Sequence, residues 1–214
     1  MSPDDVARYL RNNPKFFEQH PELLDSMRVT HPYGGRAIPL AERQTVALRD
    51  KAKVLEGRLG ELLQFGEEND AISEKVHRLT VALVGARDFP ALTQSLYFHL
   101  REDFAIPHVA LRVWGKSVPL DFREAEAVSA AQRSAAEAMS TPQCGPAAGN
   151  PFLPWFDAAA EHVRSVALVP LGETAVIGLL ALASEDPQRF YPEMGTLYLR
   201  RIGELCAAGV SARL

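Results

Sequence analysis

The apolar positions of this chain fall into three regimes, and the middle one has the clearest rhythm. From Leu40 to Ala86 there is no proline, helix formers dominate, and Leu48, Leu55, Leu62, Asn69, Val76 and Leu83 recur every seven residues. A second row, Ala52, Leu59, Phe65, Ile72 and Leu79, flanks the first. Steps of four and three alternate along 48-52-55-59-62 and again along 65-69-72-76-79-83. The join at 59-62-65 takes two consecutive steps of three, a stammer that locally overwinds a coiled coil. A helix packed on its own domain shows a broader stripe of period 3.6. The narrow seam predicts a coiled-coil helix within residues 40–88, about 70 Å long at 1.5 Å per residue, with a second chain as its partner. The dimerisation residues so nominated are Leu48, Leu55, Leu59, Leu62, Phe65, Asn69, Ile72, Val76, Leu79 and Leu83.

The pattern on either side differs. Residues 1–39 read as a helical arm of short pieces, started by Ser2-Pro3-Asp4-Asp5, Asn13-Pro14 and His20-Pro21, with proline at the first helical position each time. His31-Pro32-Tyr33-Gly34-Gly35 then breaks the pattern. Residues 89–214 read as one α+β domain. Phe89 to Asp103 is an amphipathic helix with Leu92, Leu96 and Leu100 on one face. His108 to Trp114 alternates like a strand with one covered face, and Leu120 closes a hairpin with it. Glu124 to Met139 reads as a helix, and Thr141 to Pro151 as a Pro/Gly-rich loop from which Asn150-Pro151 starts a short helix. Ser165–Leu171 and Ala175–Ser184 form a strand hairpin about Gly172-Glu173-Thr174. Pro192 opens a terminal helix, with Met194, Leu197, Ile202 and Leu205 facing inward.

Charge adjusts the picture of the long helix. The chain of 214 residues carries a net charge of −4, so no global basic field invites nucleic acid. That mild value averages a basic block from Arg36 to Arg58 with a purely acidic one, Glu61, Glu67, Glu68, Asp70 and Glu74. A parallel in-register pair sets like blocks side by side, which argues for an antiparallel or staggered pair. Asn69 on the seam argues the other way, since a buried asparagine pairs with its mate in a parallel dimer. The competing reading makes Asn69-Asp70 a frayed turn. Parallel is the preferred arrangement, and the orientation stays open. The two cysteines, Cys144 and Cys206, are too few for a disulfide scaffold and fit a reducing, cytoplasmic setting. Acids stand at the start where a secretory signal would carry bases, and no apolar run approaches the roughly 20 residues of a membrane span.

The order helix, strands, helix, loop, two long strands and terminal helix resembles a GAF domain. More narrowly, Asn13-Pro14-Lys15-Phe16-Phe17, His20-Pro21-Glu22-Leu23-Leu24, Leu40-Ala41-Glu42-Arg43-Gln44 and Glu68-Asn69-Asp70 lie near one end. Gly178-Leu179-Leu180-Ala181-Leu182-Ala183-Ser184, Asp186-Pro187, Arg189-Phe190 and Met194-Gly195-Thr196 lie near the other. Together these resemble a bacterial family catalogued as a domain of unknown function, number four-eighty-four. The resemblance implies an α+β fold, a GAF-like antiparallel sheet with flanking helices, preceded by a long coiled-coil helix and a short helical N-terminal arm. It transfers no catalytic residue. Genes of such proteins often lie near a tyrosine recombinase, which makes a recombinase the partner implied by that analogy.

GAF-like domains often bind small molecules between sheet and loops. Trp114, Phe152 and Trp155 are candidates for the walls of such a pocket, Arg112 and Arg164 for an anion-holding end, and Cys144 for its lip. The plainer reading makes the aromatics core and the arginines solvated. The cyclic-nucleotide pattern of that superfamily is missing its Asn-Lys pair. The six histidines form no HxxxH or HxH pair, so neither a metal nor a cofactor is expected. No phosphate loop or nucleophile elbow occurs. Adjacent acids such as Glu67-Glu68 point about 100° apart on a helix and do not make an acid/base pair. The expectation is a non-enzymatic regulatory or scaffolding protein that dimerises through the long helix, contacting no membrane and no nucleic acid. A small-molecule sensor is the alternative, and thiol chemistry at Cys144 a distant third.

Overall fold

The computed structural model describes residues 2–30, 37–114, 121–172 and 175–213. The break at His31-Pro32-Tyr33-Gly34-Gly35, the closing strand at Leu120 and the turn residues Glu173 and Thr174 lie outside these. Two compact units are present, Met1–Glu68 and Asn69–Leu214.

In the first unit, helix α1 (Pro3–Asn12) starts as its sequence dictates. The Ser2 hydroxyl accepts from the Asp5 amide at 3.2 Å while the Asp5 carboxylate accepts from the Ser2 amide at 2.8 Å, and Pro3 holds the first helical position. Helix α2 (Phe16–Gln19) begins two residues after Pro14, because Pro14 and Lys15 form a turn closed by Phe16 N–H on the Asn13 carbonyl. Helix α3 (Pro21–Ser26) starts on Pro21 as expected. The aromatic rings of Tyr9, Phe16 and Phe17 pack edge-on, with centroids 5.9 and 5.3 Å apart. The arm is not wholly helical. Strands β1 (Arg28–Thr30) and β2 (Ala37–Pro39) pair antiparallel, a ribbon too short to show in the apolar pattern. Helix α4 (Leu40–Gly85) then runs 46 residues without interruption.

The second unit begins inside α4. Helix α5 (Phe89–Glu102) is capped by the Asp88 carboxylate accepting from Ala91 N–H at 2.8 Å. A four-stranded antiparallel sheet follows, in the order β3-β6-β5-β4. Its strands are β3 (His108–Val113), β4 (Gln143–Pro146), β5 (Ser165–Leu171) and β6 (Gly178–Ser184). The hairpin of β5 and β6 is antiparallel as expected, registering Ala167 with Leu182 and Val169 with Leu180. β4 is a strand where a loop was expected. Its four residues pair with Ser165–Leu168, which moves Cys144 from a loop to the sheet edge.

Layering explains the other departures. One face of the sheet packs on α4, α5 and helix α7 (Leu197–Ser211) through Leu79, Leu83, Leu92, Leu96, Leu100, Leu180, Leu182, Ile202 and Cys206. The opposite face is also covered. There Ala110, Ala181 and Ala183 leave room that Phe152, Trp155 and Phe156 fill, with helix α6 (Ala130–Glu137) alongside. Hence β3 is enclosed on both faces rather than one, Ala110 and Arg112 being buried like Leu111 and Val113. α6 starts six residues later than the alanine-rich stretch implied, because Ser129 and Gln132 form a capping box there. α7 likewise starts at Leu197, five residues beyond Pro192, and Leu197 itself is exposed. Gly203 lets α7 lie close on β5, since a Cβ there would come within 2.6 Å of a Val169 methyl.

Candidate functional site

The residues nominated for a ligand pocket do not converge on one cavity. Phe152 and Trp155 are buried core, their rings 4.9 Å apart and near perpendicular. Both stack beneath the sheet face that the alanines leave shallow. Trp114 is half-buried and its indole N–H donates to the Val176 carbonyl at 2.9 Å. Arg164 is exposed and spends its guanidinium on the carbonyls of Glu161 and Val163, at 2.8 and 3.1 Å. Cys144 pairs with Ala167 across β4 and β5 and is partly buried. Burial pushes its thiol up to about 11, so almost none is thiolate at neutral pH. Cys206 is wholly buried and its thiol is pushed up to about 12 for the same reason.

Arg112 is neither solvated nor at a pocket mouth. Its side chain is 5% exposed, its Nη2 lies 2.5 Å from Glu126 Oε2, and its Nη1 donates to the Leu111 carbonyl at 3.0 Å. The guanidinium sits 5.5 Å from the centroid of the Trp155 ring, within cation–π range. Next to it, the buried Glu124 accepts from the Tyr97 hydroxyl at 2.7 Å. Burial, and then that bond to a carboxylate, push the Tyr97 phenol well above its ordinary range. Glu124, Glu126 and Tyr97 were missed by sequence reasoning. A lone glutamate ahead of an alanine-rich helix gives no signal of its own.

A groove of about 1000 Å³ opens elsewhere in the second unit. Arg133, Glu137, Met139 and Val176 line it together with Arg200 and Glu204 of α7. None of the six nominated ligand residues lines it. Arg133 bonds Glu137 at 2.8 Å and lies 5.8 Å from the Trp114 ring, so the groove borders one nominated aromatic through that arginine. Among the described residues no group of three His, Cys, Asp or Glu side chains is placed to hold a metal.

The seam residues separate into two sets. Leu48, Leu55, Leu59, Leu62 and Phe65 are exposed, Leu62 by 66%. Asn69 is exposed too, and its backbone carbonyl accepts from the Tyr198 hydroxyl at 3.0 Å. Ile72 and Val76 are half-buried, while Leu79 and Leu83 are buried in the core of their own chain. Leu79 and Leu83 are thereby corrected from coiled-coil residues to core residues, because α5, α7 and the sheet already cover them. Arg213 fixes the end of the same helix, its guanidinium donating to the carbonyls of Leu83 at 3.0 Å and Ala86 at 2.6 Å. Among the described residues, no helix is long and apolar enough to cross a membrane.

The amino-acid sequence, compared with known proteins, matches one described family. The family described as "Protein of unknown function, DUF484" matches residues 1–211. Relatives named uncharacterized protein YigA occur in Salmonella typhimurium, Shigella flexneri and Escherichia coli. They are 27%, 26% and 25% identical over 204 residues, which covers 92% of this chain and 86% of each relative. Among solved structures the chain is similar to the GAF domain of A. aeolicus nlh2 in an inactive state. That match has a TM-score of 0.46 at 13% identity, over 68% of this chain and 99% of the other.

Proposed function

The chain belongs to the DUF484 family, and from that premise we propose that it is a non-enzymatic regulatory or scaffolding protein. It pairs with a second copy through α4 and presents its α+β domain to a partner or ligand. One observation carries the reading. The apolar row Leu48, Leu55, Leu59, Leu62 and Phe65 is exposed on a helix whose continuation, Leu79 and Leu83, is buried in its own domain. Five large apolar side chains at coiled-coil spacing are a standing cost in water, and a second identical seam removes it.

The available seam is therefore shorter than the heptad pattern, ending near Phe65. With Leu48, Leu55 and Leu62 at d and Ala52 and Leu59 at a, Lys51 falls at g and Glu56 at the following e. In a parallel in-register pair these two face each other across the seam, twice per dimer. That specific pairing offsets the block-charge objection and supports the parallel arrangement. The domain would act on the coil mechanically. A partner, for which the family resemblance nominates a tyrosine recombinase, shifts the register near the 59-62-65 stammer and changes how the arm is presented. Sedimentation of the full chain tests the pairing. A dimer at micromolar concentration is expected, and Leu55→Asp with Leu62→Asp should return it to monomer with the domain still folded. A wild-type monomer at that concentration overturns the reading.

The groove of about 1000 Å³ supports the second reading, a small-molecule sensor. Native mass spectrometry of freshly purified protein separates the two. A co-purifying small molecule that Arg200→Ala releases favours sensing, and an empty domain favours the interaction role.

A further inference from the structure

The ion pair between Arg112 and Glu126 is lopsided. Arg112 sits next to the last residue of β3, opposite Leu179 of β6, with its side chain 5% exposed. Glu126 follows the 3₁₀ turn Arg123–Ala125 in a stretch without regular structure, and its side chain is 57% exposed. A buried charge that loses its partner is left uncompensated, so whatever displaces Glu126 from Arg112 has to supply another anion. Here the cation is built in and the anion reaches it from solvent.

A guanidinium has five N–H donors in a fixed fork that suits a carboxylate held by two parallel bonds. Arg112 gives one bond to Glu126 and one to the Leu111 carbonyl. Among the described residues Glu126 is the one carboxylate in ion-pair range of it. The Trp155 ring centroid lies 5.5 Å from the guanidinium carbon, within cation–π range. The segment carrying Glu126 is itself held by side-chain bonds, Glu124 to Tyr97 and Arg123 to Asp157. Asp157 adopts a positive φ of 49°, a conformation non-glycine residues rarely hold without a reason.

We infer that Arg112 is a binding site for the carboxylate of a small anionic ligand, and that Glu126 occupies it as the chain's own stand-in. A ligand carboxylate takes the place of Glu126 on the guanidinium, and the Glu126 side chain, already 57% exposed, turns out into solvent while Arg123 and Glu124 keep their bonds. The exchange buries no additional charge, since one carboxylate replaces another on the same cation. This site is separate from the groove and does not depend on how α4 pairs.

Self-occupancy gives the test its sign. A ligand that must displace Glu126 binds with an affinity lowered by the fraction of sites that are open. Sodium benzoate, titrated at constant ionic strength against sodium chloride, serves as the probe, and the indole N–H resonance of Trp155 reports binding in the full chain. Glu126→Gln should bind benzoate at least ten-fold more tightly than wild type, and Arg112→Lys, which keeps the charge and loses the fork, should lose that gain. Glu126→Asp, whose shorter side chain withdraws the carboxylate, should fall between wild type and Glu126→Gln, and it carries the test if Glu126→Gln does not fold. Equal binding in wild type and the Glu126 variants, or none in any of them, overturns the proposal and leaves an ordinary ion pair.

Discussion

Leu59 and Leu79 stand on the same row of one helical seam, yet Leu59 is 57% exposed and Leu79 is 0% exposed. Their seam spacing is the same, although Gly57 and Gly60 flank Leu59 and no glycine flanks Leu79. Both lie in proline-free, helix-forming surroundings at coiled-coil spacing. What differs is the company that the fold brings. From Asn69 onward α4 belongs to the second compact unit, where α5, α7 and the sheet cover its apolar face. Upstream of that point the first unit leaves Leu48, Leu55, Leu59, Leu62 and Phe65 uncovered. A heptad row thus reports that a helix face is to be buried, and it is silent on whether the same chain or another does the burying.

Truncating each member of the pair gives the widest separation. Leu79→Ala should destabilise the domain by about 2–5 kcal/mol, because a fully buried leucine loses its transfer energy and leaves a cavity. Leu59→Ala should change domain stability by less than about 0.5 kcal/mol while weakening self-association. Urea unfolding followed by Trp155 fluorescence, beside sedimentation of both variants, reads the two effects separately. Equal losses of domain stability would mean that the upstream row is covered within the chain.

Arg213 comes next. It is distant in sequence, yet it satisfies the Leu83 carbonyl in the last turn of α4 and the Ala86 carbonyl just beyond its end. Arg213→Ala should cost about 1–3 kcal/mol, the range for hydrogen bonds to a charged donor, with the loss confined to the second unit. Hydrogen exchange should show the last turn of α4 opening first, and the Leu48–Phe65 stretch unchanged.

Legibility follows the same division. The long helix, the β5–β6 hairpin and the inward face of α5 were readable because each is built on local periodicity. The strands β1, β2 and β4 were not, since three or four residues carry no period and β4 is made a strand only by its pairing with β5. The candidate site was readable in its residue types and not in its arrangement. Arg112 pairs with Glu126 of the same chain, and Phe152 and Trp155 pack in the core beneath the sheet. The small side chains Ala110, Ala181 and Ala183 on the facing strands were the available signal that large aromatics pack there.

The smallest effect tests the covered stretch of α4 through its pH dependence. Arg78, on the covered stretch of α4, bonds Asp103 at 3.1 Å, and the His99 ring nitrogen meets the other carboxylate oxygen at 2.6 Å. These partners, His99 first and then Arg78, hold the Asp103 carboxyl below its ordinary 3.8. A carboxyl more acidic in the folded state binds fewer protons there than in the unfolded chain. The stability it contributes is therefore present above about pH 4 and is lost as pH falls through the lower, folded value. Arg78 is largely solvated, so that contribution is under about 1 kcal/mol. Asp103→Asn should lower the urea midpoint slightly at pH 7 and converge on wild type once the pH lies below the lowered folded-state value. A deficit that stays constant across that range would show that the side chain acts through packing rather than charge, and would remove Arg78 from the contacts that distinguish the covered half of α4 from the bare one.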